Sequence, residues 1–315
     1  MTIDVVIPAY KPGDKFIDLL NLLADSDTPV GKIIVVNTEK EFWPEDILTK
    51  ISGRAGEILE LHHISKEEFD HGSTRNLGVS YSDADIVLLM TDDAIPADDS
   101  LVGEIIKPFN DEKVGACYGR QLASSSSTIA EKFSREFNYP DEPITKSIED
   151  IKRLGIKTFF CSNVCAAYRR DVFNKLGGFV NRAIFNEDMV YAAKLMDNGY
   201  SVSYCNKARV IHSHSYSNIE QLHRNFDLAV SQAMNPEVFE RVSSESEGVK
   251  FILTAFKYFA GAKRPFAIVP FMITSVYKLY GYKMGKKYKS LSHDKIMKLT
   301  MNPAFFEKLW DDGKK

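Results

Sequence analysis

Ile86-Val87-Leu88-Leu89-Met90-Thr91-Asp92-Asp93-Ala94-Ile95-Pro96 opens on five apolar residues and runs straight into two adjacent carboxylates. So short an apolar run, with no polar alternation, reads as a strand buried on both faces of a parallel, helix-covered sheet. Carboxylates at the mouth of such a strand are costly unless a cation or a cationic ligand meets them. Hard divalent ions such as Mg²⁺ take oxygen ligands and bridge to substrate phosphates. A helix cap or an acidic turn explains the pair equally well on its own.

Working outward toward the N-terminus, Ile3 to Ile7 is a β-branched run ended by Pro8, and Lys32 to Val36 is a second buried strand. Between them Phe16, Leu19, Leu20 and Leu23 fall at helical spacing within Asp14 to Leu23. Glu57 to His62 is a third strand, and Asn76 to Tyr81 ends a helix before Ile86. This rhythm predicts a parallel sheet with flanking helices, whose ligands bind at the carboxyl ends of the strands. Those ends are Pro8-Ala9-Tyr10, Asn37-Thr38 and Thr91-Asp92-Asp93. Toward the C-terminus, Ser124 to Ser127 and Tyr139 to Pro143 predict loops over 120–157, and Phe159 to Tyr168 a further strand. A helix over Glu187 to Asn198 stops at Gly199, and beyond about 240 the pattern is helical throughout.

The 315 residues carry a formal net charge of −3, which hides an asymmetry. From Gly248 to His293 there is no Asp or Glu but there are nine Lys and Arg, leaving the rest near −12. Projected as a helix, Tyr277, Tyr280, Met284 and Tyr288 share one face, with Lys278, Lys283, Lys286 and Lys289 on the other. Either this is a core-facing helix with a solvated back, or it lies on an anionic membrane surface; the absence of acid favours the membrane. No nucleic-acid reader motif accompanies the basic stretch. The four cysteines form no CxxC pair and are expected to be reduced, buried thiols of a cytoplasmic protein. Asp4 and Pro8 interrupt any signal-peptide core, and Pro265 to Tyr277 falls short of the roughly 20 residues a spanning helix needs.

Three further constellations carry chemistry. Asn186-Glu187-Asp188 opens a helix, where the acids either complement its dipole or supply a general base. His212-Ser213-His214 follows Val210-Ile211, so each histidine is a satisfied core residue or a ligand to a cation at Asp93. In Phe69-Asp70-His71-Gly72-Ser73-Thr74-Arg75-Asn76-Leu77-Gly78, a hydroxyl-rich turn opens a helix, offering N–H groups and Arg75 to a diphosphate. A capped helix with an exposed arginine is its structural alternative.

The order and spacing of these motifs, over roughly residues 3 to 230, resemble the family-two inverting glycosyltransferases of the GT-A fold. Ile7-Pro8-Ala9-Tyr10 is similar to the family's opening strand and base-binding turn, and Thr74-Arg75-Asn76-Leu77-Gly78 to its Ala-Arg-Asn-x-Gly helix. Thr91-Asp92-Asp93 stands where the Asp-x-Asp motif belongs, and Asn163 to Arg170 with Leu176-Gly177-Gly178-Phe179 resembles the segment before the acidic base. The resemblance implies an α/β, Rossmann-like, mostly parallel GT-A domain over 1–240, with a C-terminal helical appendage over 241–315. Within the domain, about 1–100 would be the nucleotide-sugar half and about 100–240 the acceptor half. It implies Asp188 as catalytic base, and Asp93 with His212 or His214 holding Mg²⁺ or Mn²⁺, only one of the two histidines being expected to bind. Pro8, Ala9, Tyr10, Asn37, His71, Gly72, Arg75 and Asp92 would bind the nucleotide sugar. Two positions depart from the pattern: Asn37 replaces the acid that pairs with the base's N3–H, and Thr91 replaces the first acid of Asp-x-Asp.

The subfamily most resembled is the bacterial rhamnosyltransferases, through the Phe69 to Asn76 stretch, Thr91 to Pro96 and His212 to Ser217. Its members use dTDP-β-L-rhamnose to build O-antigens or cell-wall polysaccharides, which implies a saccharide or lipid-linked acceptor at the inner face of the cell membrane. A UDP-hexose donor, a non-catalytic scaffold of a polysaccharide assembly complex, and a metal-dependent phosphohydrolase are the competing expectations.

Overall fold

A computed structural model describes residues 1–242 and 245–312. β1 (Ile3–Tyr10), β2 (Ile33–Thr38), β3 (Leu59–Ile64) and β4 (Ile86–Met90) run parallel in the order β3-β2-β1-β4. Side chains of β1 alternate between two cores, as a period of two requires. Val5 and Ile7 pack with Phe16, Leu19 and Leu20 of α1 (Asp14–Ala24), whereas Val6 packs with Val79 of α2 (His71–Ser80). β3 begins at Leu59 rather than Glu57, because Gly53–Ile58 is helical and Ser52 caps it.

Past β4 the sheet is mixed. β8 (Cys165–Arg169) joins β4 antiparallel, and β6 (Val114–Leu122) joins β8 antiparallel. β9 (Ser201–Ile211) runs parallel to β6, with short β5 (Ile95–Pro96) and β7 (Ile144–Lys146) antiparallel to it. The expected strand over Phe159 to Tyr168 contracts to β8, since buried Phe159 and Cys161 plug the core from irregular backbone. The stretch 120–157, expected as loop, holds β7 and α3 (Ile129–Asn138), which starts where Thr128 accepts the Glu131 N–H. Ser124 to Ser127 form the expected turn, and Thr128 caps the helix that follows it.

α4 (Glu187–Asp197) precedes β9, and α5 (Asn218–Met234), α6 (Glu245–Gly261), α7 (Ile268–Lys286), α8 (His293–Leu299) and α9 (Pro303–Asp312) follow it. α7 lies so close along α5 that a Cβ on Gly281 would sit 2.1 Å from the Leu222 carbonyl oxygen, and one on Gly285 2.3 Å from that of Phe226. α6 packs on α3, where Phe133 meets Phe251 and Phe259. Buried Asp227 of α5 accepts hydrogen bonds from Thr300 Oγ1 (2.6 Å), Met301 N–H (2.9 Å) and Asn302 Nδ2 (3.0 Å), which fastens α8 and α9 to the body. The C-terminal helices therefore share their cores with α3 and α5. Their faces differ from the helical projection: Tyr277, Met284 and Tyr288 turn inward, Tyr280 is exposed, and Lys278 is partly buried. All four cysteines are free and buried. Among the described residues, no helix is long and apolar enough to cross a membrane.

Candidate active site

Parallel register pairs Ala9 with Asn37 and Tyr10 with Thr38, so the ends of β1 and β2 lie side by side. The Tyr10 N–H donates to Asp92 Oδ2 at 3.1 Å, which ties the turn after β4 to them. Pro8 and Ala9 precede exposed Tyr10, whose ring stands edge-on to Phe42 at 5.5 Å. Asn37 is fully buried. Its Nδ2 donates to the Glu39 carbonyl at 2.9 Å and to His63 Nδ1 at 3.1 Å, while its Oδ1 has no partner.

The pairing of Ile95 with Ile211 brings the end of β9 against the acidic turn. There Asp93 Oδ1 lies 3.4 Å from His212 Nε2, and Oδ2 3.3 Å from His214 Nε2. The two ring nitrogens are 2.8 Å apart, and one ligand atom from each of the three residues falls within 4.8 Å of the others. Lone pairs converging so closely repel unless a proton or a cation lies between them, and a carboxylate with two imidazoles suits a first-row divalent ion. Both histidines reach Asp93, so the expectation that only one would serve does not follow from the geometry. Gln121 Oε1 lies 3.1 Å and Arg135 Nη2 3.3 Å from His212 Nδ1; in the tautomer whose Nδ1–H donates to Gln121, Nε2 keeps its lone pair for a cation. Gln121 is held in turn by Arg135, by the Tyr139 hydroxyl and by Ser162. Burial opposes ionisation of Asp93, but the hydrogen bond and charge of His212, then the charge of His214, outweigh it and hold the carboxyl at about 2. Asp92 moves the other way: burial raises it more than the Tyr10 N–H lowers it, and Asp93 adds to the rise.

A second acidic pair faces Asn163. Asn186 adopts left-handed backbone, φ 61°, which Asn tolerates better than most side chains, and this turns the chain into α4. The Asn163 N–H donates to Asp188 Oδ2 at 3.1 Å, and its Nδ2 donates to Glu187 Oε1 at 3.0 Å. Arg75 Nη1 stands 3.4 Å from the same Glu187 oxygen and donates to the His71 carbonyl at 2.9 Å. Burial, then the charge on Glu187, push Asp188 up to about 7. Glu187 stays low despite its burial, because Arg75, His71 and the Asn163 amide favour its charged form. A carboxyl near 7 is matched to general-base work at neutral pH.

The turn that opens α2 departs from expectation. Asp70 Oδ1 already accepts the N–H groups of Gly72 (3.0 Å) and Ser73 (2.8 Å). A Cβ on Gly72 would lie 2.0 Å from the Val180 carbonyl oxygen, so this glycine permits close packing instead of presenting N–H groups to an anion. The His71 ring sits between Phe69 and Phe185, and Arg75 is engaged with Glu187, its Nε buried without a partner. Residues that reading the sequence did not single out complete the site. Gln121 comes from β6 and Arg135 from α3, in a segment read as loop. Arg224 of α5 lies over the rings of Phe185 (4.8 Å) and Tyr216 (5.9 Å), with Nη1 buried and unpartnered. No local pattern marks these three; each is recruited by packing.

The family model described as glycosyl transferase family 2 matches residues 4–177. An O-antigen chain rhamnosyltransferase of Salmonella typhimurium, RfbN, is 33% identical over 98% of this chain and 97% of its own length. Another of Salmonella anatum, WbaN, is 38% identical over 97% of this chain and 96% of its own. A Pyrobaculum calidifontis mannosyltransferase solved with GDP-Man and Mn²⁺ superposes with a TM-score of 0.60 over 92% of this chain and 88% of its own, at 14% identity. S. aureus TarS 1–349, solved with UDP-GlcNAc, superposes at 0.52 over 92% and 91%, also at 14% identity. These two show the shared GT-A-type α/β fold. By the match across more than half its length, and by relatives alike from end to end, the chain belongs to glycosyl transferase family 2 and is a glycosyltransferase.

Proposed function

We propose that the chain transfers L-rhamnose, with inversion, from dTDP-β-L-rhamnose to a growing cell-surface polysaccharide or lipid-linked oligosaccharide. The observation that carries the reaction is the pairing of a carboxyl raised to about 7, Asp188, with the Asp93, His212 and His214 cluster. The sugar rests on the two O-antigen rhamnosyltransferase relatives. Residues 1–240 are the catalytic domain, about 1–100 serving the nucleotide sugar and about 100–240 the acceptor, and 241–315 are the basic helical region.

Asp188 takes the proton of the acceptor hydroxyl as its oxygen bonds to the anomeric carbon and the bond to the diphosphate breaks. Glu187, kept ionised by Arg75, raises the basicity of Asp188 and positions Asn163 beneath it. Asp93, His212 and His214 would hold a divalent cation, with the two imidazoles favouring Mn²⁺ over Mg²⁺. Such an ion neutralises charge that develops on a departing diphosphate. The free Nη1 of Arg224 offers a second cationic donor to that diphosphate or to the acceptor. The unpartnered Oδ1 of Asn37 is an acceptor for the N3–H of thymine, with Pro8, Ala9, Tyr10 and Asp92 around it. Uracil carries the same N3–H, so a UDP-hexose is the competing donor. The chain works in the cytoplasm, peripherally at the inner face of the membrane where lipid-linked acceptors stand.

The test is a donor screen with Mn²⁺ or Mg²⁺, comparing dTDP-rhamnose with UDP- and GDP-sugars. Acceptor-dependent turnover of dTDP-rhamnose that stops in chelator is expected. Turnover of a UDP-hexose alone would reassign the donor, and nucleotide breakdown indifferent to acceptor would make the protein a phosphohydrolase.

A further inference from the structure

We infer that the outer edge of the α6–α7 hairpin is a docking surface for an anionic lipid bilayer. On α7 the residues Val269, Ile273 and Val276 follow one another at helical spacing and remain exposed, Val269 by 57% and Val276 by 62%. Phe266, in the turn before α7, is 88% exposed. Leu253 and Phe256 continue the exposed apolar character on α6. These side chains are not a packing seam of this chain, because the inward faces of both helices are taken. Gly281 and Gly285 bring α7 onto α5, and Ala255 and Phe259 bring α6 into the Phe133 cluster of α3.

Apolar residues this exposed and this numerous call for a partner. Charge identifies it. Lys257, Lys263 and Arg264 are exposed around the turn, and no acidic residue occurs between Gly248 and His293. An apolar stripe flanked by lysine and arginine, on helices unable to span a bilayer, lies in the plane of an anionic headgroup layer. The contacting face is thus the Phe266 to Val276 edge, not the aromatic face projected from sequence, whose Tyr277, Met284 and Tyr288 are packed inward. The supporting helices also reach the site: α3 carries Arg135 to His212, and α5 carries Arg224 over Phe185. Docking on this edge therefore fixes both walls of the site relative to the membrane. Only the presence of the acceptor at that membrane rests on the transferase reading; the surface itself does not.

Vesicle flotation without donor or acceptor tests the inference separately from catalysis. Wild type should float with phosphatidylcholine vesicles containing phosphatidylglycerol, and far less with phosphatidylcholine alone. Phe266→Ser, Val269→Ser and Ile273→Ser together should weaken that partition by at least about tenfold. The triple variant should keep its melting temperature and its transfer to a soluble acceptor. Lys257→Gln, Lys263→Gln and Arg264→Gln together should erase the preference for phosphatidylglycerol. Wild type that ignores both vesicles overturns the inference, as does triple-variant binding equal to wild type. A concentration-dependent dimer dispersed by the triple variant, seen by size exclusion with light scattering, would also overturn it, by making a second copy the occupant. Loss of transfer with vesicle binding intact would count against the transferase reading alone.

Discussion

Two of the molecule's adjacent carboxylate pairs lie at the candidate site, Asp92-Asp93 at the end of a strand and Glu187-Asp188 at the start of a helix, and they are split in opposite ways. In the strand-end pair the second acid is the strongly ionised one, held at about 2 by His212 and His214 while burial raises its neighbour. In the helix-start pair the first acid is kept charged by Arg75, and the second is raised to about 7. Two like charges side by side in a low-dielectric site cannot both ionise freely, so whichever acid meets the cationic partner stays charged and the other is pushed up. The proposed roles divide along the same line: Asp93, which faces two imidazoles, as the cation ligand, and Asp188, the raised acid beside Asn163, as the base.

The largest effect is expected at the proposed cation ligand. Asp93→Ala should reduce metal-dependent transfer to background, with chelator and Mn²⁺ titrations no longer altering the rate; a variant still rescued by Mn²⁺ would remove Asp93 from the cation site. Next is the base. Asp188→Asn keeps the shape and one of the two backbone N–H bonds, which reach different carboxylate oxygens from Asn163 and Met189, but not the basicity, so turnover should fall by roughly 10²–10⁴ with donor affinity nearly unchanged. The same variant has a stability signature. An acid whose folded pKa is raised stabilises the fold fully only below its unfolded value near 4, and loses that contribution as pH rises toward about 7. Asp188→Asn should therefore gain in melting temperature relative to wild type as pH rises from about 4 to about 8, on top of a pH-independent loss for the one N–H bond it cannot accept; a difference that does not change with pH would contradict a buried, raised carboxyl.

Smaller effects are expected at the partners of these acids. Gln121→Ala frees the Nδ1 of His212 from its acceptor and should weaken metal affinity by about 10–100-fold, read by isothermal titration. Glu187→Gln removes the like charge beside Asp188, so the acidic limb of the pH–rate profile should move to lower pH by about one unit. A limb that stays in place would mean that burial alone raises Asp188.

Much of the architecture was legible along the chain. Apolar runs of four to six residues mark β1, β2 and β4 because they are buried on both faces, and the parallel arrangement follows from the helices between them. The failures share a cause. Phe159 and Cys161 look like strand because burial, not extension, selects apolar residues; Ser124 to Ser127 do form the expected turn, but the helix that Thr128 caps beyond it is hidden because hydroxyls favour caps and turns alike. Likewise Gly72 reads as an anion cradle until the Val180 carbonyl is seen against it.

The placement of the candidate site residues is written along the chain: strand ends carry Asn37 and Asp92-Asp93, and a helix start carries Glu187-Asp188. Those are consequences of short-range periodicity and propensity, which neighbours along the chain encode. Packing sets which acid of each pair is charged, turns both histidines toward Asp93, and brings Gln121, Arg135 and Arg224 to the candidate site. Ionisation and coordination depend on through-space distances of a few ångströms between residues such as Arg75 and Glu187, or Gln121 and His212. Such partners are about a hundred positions apart along the chain, and the packing of sheet and helices sets the distance between them.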